Sequence, residues 1–501
     1  MKHDLARRSV QAVFWSYLGA GGKIAAQLVI QILLARMLGP EVFGQYAAVL
    51  VVIGFGWLFA DSGFGAALVQ KKDIDDNDVG YALGWVLLLS VITGAAIMGL
   101  SPWLAKALGD SALIFPLLVC GPIIVLQALS NISTSLMRRN LDMKRSQIIQ
   151  LIAYVVGFGV VAVVLAQQGA GVWSLVIGFL VQTLISLIAG YWVVRHTLVP
   201  RLEGDAGLRK FGFSVLGTNL ANWAIDNLDR FLIGRQWGIA ALGAYSAASN
   251  LSRVPVTLLV SSFQSVVLSS ASRVQGDHER LRRGFSAVLS LVSVVTFPLA
   301  AVLALKADFV IHTLYGDQWG QAGVLFAAFC VALPSYVLLS VTGPTLWAVG
   351  AAASEFKVQL FTAFVLLTGL LLLAGQPLAA AIWLIPCVYL FRFLLVYRVL
   401  GQRIGLAHRQ TLQAISGGLV LTAIVICIEL ATTQLAPNLS NPLLLHAAQG
   451  TLHAIACLTI LRLAPRFFMG TELCTMLVNR RNESKVARIA CQIISLKAPA
   501  P

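Results

Sequence analysis

Lys23, Gln27 and Gln31 recur every four residues in an otherwise apolar stretch, which places one ammonium and two amides on a single helix face. A second stretch carries Asn219, Asn222, Asp226, Asp229 and Arg230, again largely along one face. The stretch after it adds Tyr245, Ser249, Asn250 and Arg253. These groups form no nucleophile–base pair, so their chemistry is recognition rather than bond-making. The cations Lys23, Arg230 and Arg253 suit an anionic headgroup such as a pyrophosphate. The amides and hydroxyls suit a sugar, which needs many hydrogen bonds and little charge. A structural reading stands beside this one. Asp226 and Arg230 are spaced i, i+4 and can pair with each other, and Lys23 can lock two helices through Asp229.

The elements that must position these residues are membrane-spanning helices. The chain has 501 residues, of which 58% are hydrophobic and 11% charged. A soluble domain carries about 25% charged residues. Apolar runs recur from Val10 to Leu463, each long enough to cross ~30 Å of hydrocarbon as a helix. They predict helices over 10–36, 42–69, 79–101, 112–137, 145–167, 170–194, 212–236, 241–272, 284–306, 320–347, 352–375, 377–400, 411–434 and 442–464. The expected fold is an all-α polytopic membrane protein with about fourteen transmembrane helices. The first run is too long for a cleavable signal and contains Lys23, so it reads as a retained helix. A charge at mid-bilayer depth costs ~3 kcal/mol on insertion scales. Lys23 therefore calls for a water-filled cavity or a carboxylate partner, with Asp226 and Asp229 as candidates.

Lys and Arg fix the expected orientation. With the N-terminus cytoplasmic, twenty-eight fall on the cytoplasmic side and four (Arg36, Lys106, Arg235, Lys306) on the other. This asymmetry implies an even helix number and cytoplasmic termini. It accounts for the net charge of +15 by contact with an anionic membrane surface, without nucleic acid. The basic tail after Leu463 is expected to lie on that face.

An internal repeat organises the chain. Gly39-Pro-Glu-Val-Phe-Gly44-Gln-Tyr46 aligns with Gly238-Ile-Ala-Ala-Leu-Gly243-Ala-Tyr245 at an offset of 199 residues, which also pairs Arg36 with Arg235, Ser62 with Ser261 and Phe64 with Phe263. At that offset Lys23 matches Asn222, Gln27 matches Asp226 and Gln31 matches Arg230, so both stripes lie at equivalent heights. The expected domains are six-helix lobes at 1–205 and 206–405, two further helices at 406–465, and a cytoplasmic tail at 466–501. The stripes would then line a hydrated cavity between the lobes.

Other features carry less. Asp61 ends the apolar core of the second helix and reads equally as a cap or a transport residue. Arg392 reads as a packing arginine, and Glu429 receives no role. The seven cysteines show no CxxC spacing and read as small core residues, and the seven histidines form no metal array. Gly19-Ala-Gly21-Gly22-Lys23 fails the phosphate-loop pattern at Tyr17 and Ile24. No cofactor, metal or nucleotide is expected.

The segment Leu33-Leu-Ala-Arg36-Met-Leu-Gly39-Pro-Glu-Val-Phe-Gly44-Gln-Tyr46, followed by Asp61-Ser-Gly-Phe-Gly-Ala-Ala-Leu-Val-Gln70-Lys-Lys-Asp, resembles the Wzx-type polysaccharide flippases. Their superfamily also contains the multidrug and toxin extruders and the lipid II flippases. The branch is similar to that of exopolysaccharide exporters. Leu314-Tyr-Gly316-Asp-Gln-Trp319 is similar to the family pattern, whereas Leu268-Ser269 stands where many relatives carry a proline. The resemblance implies two rocking six-helix lobes with two extra helices. It implies an undecaprenyl-pyrophosphate-linked oligosaccharide as substrate, moved to the periplasmic leaflet of the inner membrane, with polysaccharide polymerase and assembly proteins as partners. The rivals weighed against it are a multidrug-type cation antiporter, whose cavity should be net acidic, a membrane glycosyltransferase, which needs a long outer loop, and a scaffold.

Overall fold

Lipid offers the backbone no hydrogen-bond partners, so a chain of this composition must satisfy its peptide groups within helices. The computed structural model describes residues 2–61, 63–203, 206–273, 278–406, 408–435, 442–479, 491–492 and 494. Among them there is no strand. The α-helices are α1 (Lys2–Asp61), α2 (Phe64–Gln70), α3 (Asp76–Leu108), α4 (Ile114–Arg139), α5 (Met143–Tyr154), α6 (Val163–Gln167), α7 (Val172–Val193), α8 (Ala206–Trp237), α9 (Ile239–Arg273), α10 (His278–Leu305), α11 (Ala307–Tyr315), α12 (Gly320–Ala348), α13 (Ala352–Leu372), α14 (Leu378–Ala381), α15 (Leu384–Ile404), α16 (His408–Leu435), α17 (Pro442–Leu463) and α18 (Pro465–Asn479). A π-helical stretch, Val155–Ala162, joins α5 to α6.

Ten helices among the described residues are long and apolar enough to cross a membrane. The protein is a multi-span helical membrane protein. The first two expected helices form one run, α1, interrupted at Gly39, where φ is 76° and ψ is 174°. The polar helices α8 and α9, and α17, are 32, 35 and 22 residues long and fall outside the ten. The expected second helix ends sooner than the sequence suggests: α1 stops at Asp61 and α2 restarts at Phe64 after Gly63, where φ is 67°. Ser62 lies outside the described residues. Most of the basic tail, including Arg480, Arg481, Lys485, Arg488 and Lys497, does so too.

The repeat is visible in backbone geometry. Gly238, the equivalent of Gly39, also has positive φ, at 90°. Only glycine adopts this region without steric cost, which is why both breaks fall on glycine. Beyond the breaks, a Cβ on Gly44 would collide with the carbonyl oxygen of Ile239, and a Cβ on Gly243 would collide with that of Pro40. Residues 40 and 239, like 44 and 243, stand one repeat offset apart. The two helix starts therefore cross by a reciprocal contact.

The chain divides into two compact units, residues 1–247 with 312–321, and residues 248–311 with 322–501. In the first, α3, α4, α5 and α8 pack on α1. Its core gathers Ile30, Leu34, Phe158, Ala162 and Leu175, with Tyr46 edge-on to Phe158 at 6.1 Å. Segment 312–321 closes the end of the first part of α1. Arg36 Nε donates to the Leu314 carbonyl at 2.8 Å, and a second guanidinium nitrogen donates to Thr313 O. Trp319 Nε1 donates to Ala35 O at 3.0 Å, and Gln318 Nε2 to Arg36 O at 3.0 Å. Arg36 O needs this donor because its intrahelical partner would be Pro40, which has no N–H. In the second unit, α10, α12 and α15 share a core built on Phe285, Leu289, Val337, Phe393 and Val396. Arg392 of α15 is half-buried and paired with Glu355 at 3.1 Å.

Candidate functional site

The first stripe lies in the part of α1 before the Gly39 break. Lys23, Gln27 and Gln31 are half-buried there. Lys23 Nζ donates to Gln150 Oε1 of α5 at 3.0 Å. The ammonium thus has a neutral amide as partner, where the sequence offered a water-filled cavity or a carboxylate. Gln150 is a residue that sequence reasoning misses. Its only signal is a pair of amides, Gln147 and Gln150, spaced i, i+3 among the apolar Ile148, Ile149, Leu151 and Ile152. Both amides turn toward α1, since the side chain of Gln147 fits over Gly19.

The second stripe lies on α8. Asn222 and Asp226 are exposed, while Asn219, Asp229 and Arg230 are half-buried. Asp229 accepts from the Tyr245 hydroxyl at 2.5 Å and from the Arg230 backbone N–H at 2.7 Å. Asp229 is therefore tied to the repeat motif itself, since Tyr245 closes Gly238–Tyr245. Helix α8 packs against α1 through Trp223, whose ring meets Phe55 at 5.1 Å and fits over Gly54. The eight residues of the two stripes all belong to the first unit. Asn250 and Arg253 belong to the second and are exposed. Arg253 lines a small cavity of about 50 Å³ with Ser249, Ser252, Tyr336 and Tyr389. The side chain of Asp61 lies outside the described residues.

Two assignments change. Lys306, expected in an outer loop, is 6% exposed. Glu429, given no role, is 7% exposed and ion-paired with Lys306. Neither is a surface group.

Residues 33–323 match the family described as "Polysaccharide biosynthesis protein", and the chain belongs to that family. The match begins at Leu33, where the helix 1–2 motif starts, and ends just past Trp319. The chain is 27% identical over 385 residues to the succinoglycan biosynthesis transport protein ExoT of Rhizobium meliloti (strain 1021), covering 76% of this chain and 77% of that one. It is 24% identical over 388 residues to the lipopolysaccharide biosynthesis protein WzxC of Escherichia coli (strain K12), with the same coverage. Among solved structures, the lipid II flippase MurJ in an inward closed conformation superposes with a TM-score of 0.74 at 14% identity, over 90% of this chain and 98% of that one. The last likeness is one of fold.

Proposed function

We propose that the protein is a flippase. It translocates undecaprenyl-pyrophosphate-linked oligosaccharide repeat units across the cell inner membrane, by alternating access, for exopolysaccharide or lipopolysaccharide synthesis. Relatives named for succinoglycan transport and lipopolysaccharide biosynthesis support the glycan class. A fold shared with a lipid II flippase supports a lipid-linked cargo. The observation that carries the reading is Asp226, an exposed carboxylate beside exposed Asn222 on a long helix of a membrane protein. Facing lipid, such a group would cost ~3 kcal/mol, so it faces water.

Under this reading α8, α9 and α17 span the membrane, and α1 spans it twice across Gly39. Fourteen spans then place both termini in the cytoplasm. The lobes are 1–205 and 206–405, with two helices at 406–465 and a tail at 466–501. Lys23, Gln27, Gln31, Asn219, Asn222, Asp226, Asp229, Arg230, Asn250 and Arg253 line the path. Flipping needs such a path because a bare anion in hydrocarbon is prohibitive. The protein is a transporter rather than an enzyme, and polysaccharide polymerase and assembly proteins receive its product. The cation-antiporter alternative has less support, since these relatives are named for succinoglycan transport and lipopolysaccharide biosynthesis.

The test is polymer export by Lys23→Ala and Asp226→Asn at wild-type membrane levels. Both are expected to abolish export. Full export by both overturns the reading.

A further inference from the structure

A buried ionic cluster lies within the second unit. Lys306, at the junction of α10 and α11, directs its three N–H donors to three acceptors. These are Glu429 Oε1 of α16, Gln449 Oε1 of α17, and His446 Nδ1 of α17 at 3.0 Å. An ammonium has three donors and no acceptor, so this set is complete. His446 Nδ1 also lies 3.2 Å from Gln449 Oε1. Gln449 Nε2 donates onward to Thr432 Oγ1 at 2.9 Å.

The other half of the cluster is incomplete. Glu429 Oε2 and His453 Nε2 have no hydrogen-bond partner, and the Val425 carbonyl of α16 also faces the His453 ring. His453 is 3% exposed, and its Nε2 stands 3.6 Å from Glu429 Oε2. A buried polar group without a partner is costly. Here two of them face each other: with the neutral ring's proton on Nδ1, His453 Nε2 turns a lone pair toward Glu429 Oε2, and one added proton would serve both. Among the described residues, the charged groups beside His453 are Glu429 of α16 and Lys306 from the α10–α11 junction, and His446 of α17 reaches Lys306. Asp308 is exposed and lies against Gly323 of α12.

We propose that His453 and Glu429 form a proton-binding site, and that this proton couples to the transport proposed above. A hydronium ion gives its proton to the His453 Nε2 lone pair: one O–H bond breaks, one N–H bond forms, water leaves, and the new N–H donates to Glu429 Oε2. With imidazole neutral, the cluster holds one cation and one anion. With imidazolium, two cations share one carboxylate, which weakens the hold of Glu429 on Lys306. Lys306 joins α10 and α11 to α16 and α17, so proton binding alters how firmly these helices are tied. The coupling clause rests on the flippase reading, whereas the proton site does not.

The experiment follows thermal unfolding of the full-length protein in detergent from pH 8 to pH 5, for the wild type, His453→Gln, and the double variant Lys306→Met with Glu429→Gln. The double variant removes both ions, so that no buried charge is stranded if the single variant fails to fold. The wild type is expected to show a pH-dependent step in midpoint that both variants lose. Profiles that run parallel across the range overturn the site, whatever happens to export. In cells, His453→Gln is expected to lose the dependence of export on external pH. If the unfolding step is present but this variant exports as wild type at pH 5.5 and 7.5, the coupling is overturned and the site stands. Loss of the flippase reading would instead show as unchanged polymer export when the whole chain is deleted.

Discussion

Gly44 and Gly243 share one helix crossing, each lying against the carbonyl of the residue four before the other: Ile239 for Gly44 and Pro40 for Gly243. The contact is reciprocal, as a local two-fold relation between repeats requires. It gives the glycines of the repeated motif a physical reason, close backbone approach, in place of mere similarity.

Adding a methyl at either position forces the backbones apart. Gly44→Ala and Gly243→Ala should each cost about 1–3 kcal/mol by overpacking. The double variant should cost less than the sum, because the first Cβ already separates the helices that the second would strike. Thermal unfolding of the purified variants in detergent reads both effects. Strict additivity would show that the two sites do not share one crossing.

The Leu314–Trp319 motif should act through carbonyls rather than substrate. Trp319 is 1% exposed, and its indole N–H serves Ala35 O. Trp319→Phe removes that donor and should lower stability by about 1 kcal/mol beyond lost packing. Arg36→Lys should also destabilise, since one ammonium cannot reproduce a fork that spans Thr313 and Leu314. Export per folded molecule is expected to remain. A variant with wild-type stability and no export would place these residues in the transport path.

Periodicity and apolar length make most helices legible, because lipid leaves the backbone few choices. The break between α13 and α15 falls where Gly375 and Pro377 stand. The Gly39 break is legible for the same reason. Pairings across the fold are not. Lys23 meets Gln150, 127 residues away, and Lys306 meets Glu429, 123 away, and no local spacing encodes either. Loop counting treats every cation near a helix end as solvated, so it gives no sign that Lys306 is buried. The repeat, by contrast, leads from Gly39 to Gly238 with no structure at all.

Outside the membrane, Asp75 caps α3. Its carboxylate accepts from the Asp78 N–H at 2.8 Å, and Asp78 returns a bond from the Asp75 N–H at 3.3 Å. The Asp78 N–H bond holds the Asp75 carboxyl below the usual carboxylate value, helped by Asn77. A lowered folded-state pKa means the cap's contribution is fully present above the ordinary carboxylate range. It is lost as pH falls through the lowered value. The protection factor of the Asp78 amide, taken against its intrinsic exchange rate at each pH, should therefore hold at neutral pH and fall in acid, and Asp75→Ala should lower it at neutral pH and leave the acid value unchanged. Equal protection in the variant and the wild type at neutral pH would contradict the capping role.

The amide at Gln150 allows the surroundings of Lys23 to be read as an energy. Gln150→Leu removes the one side-chain acceptor that the ammonium reaches in α5. If Lys23 faces a hydrated path, water replaces the amide, and the loss should stay near 1 kcal/mol, about the net worth of an ordinary hydrogen bond. If Lys23 is sealed in protein, the stranded charge should cost about 3–5 kcal/mol, as breaking a buried pair does. The hydrated reading also expects a cysteine at position 23 to react with small aqueous thiol reagents. The two measurements are independent, since one reports an energy and the other an access route. A large loss of stability together with an unreactive cysteine would make Lys23 a structural tie and remove it from the transport path.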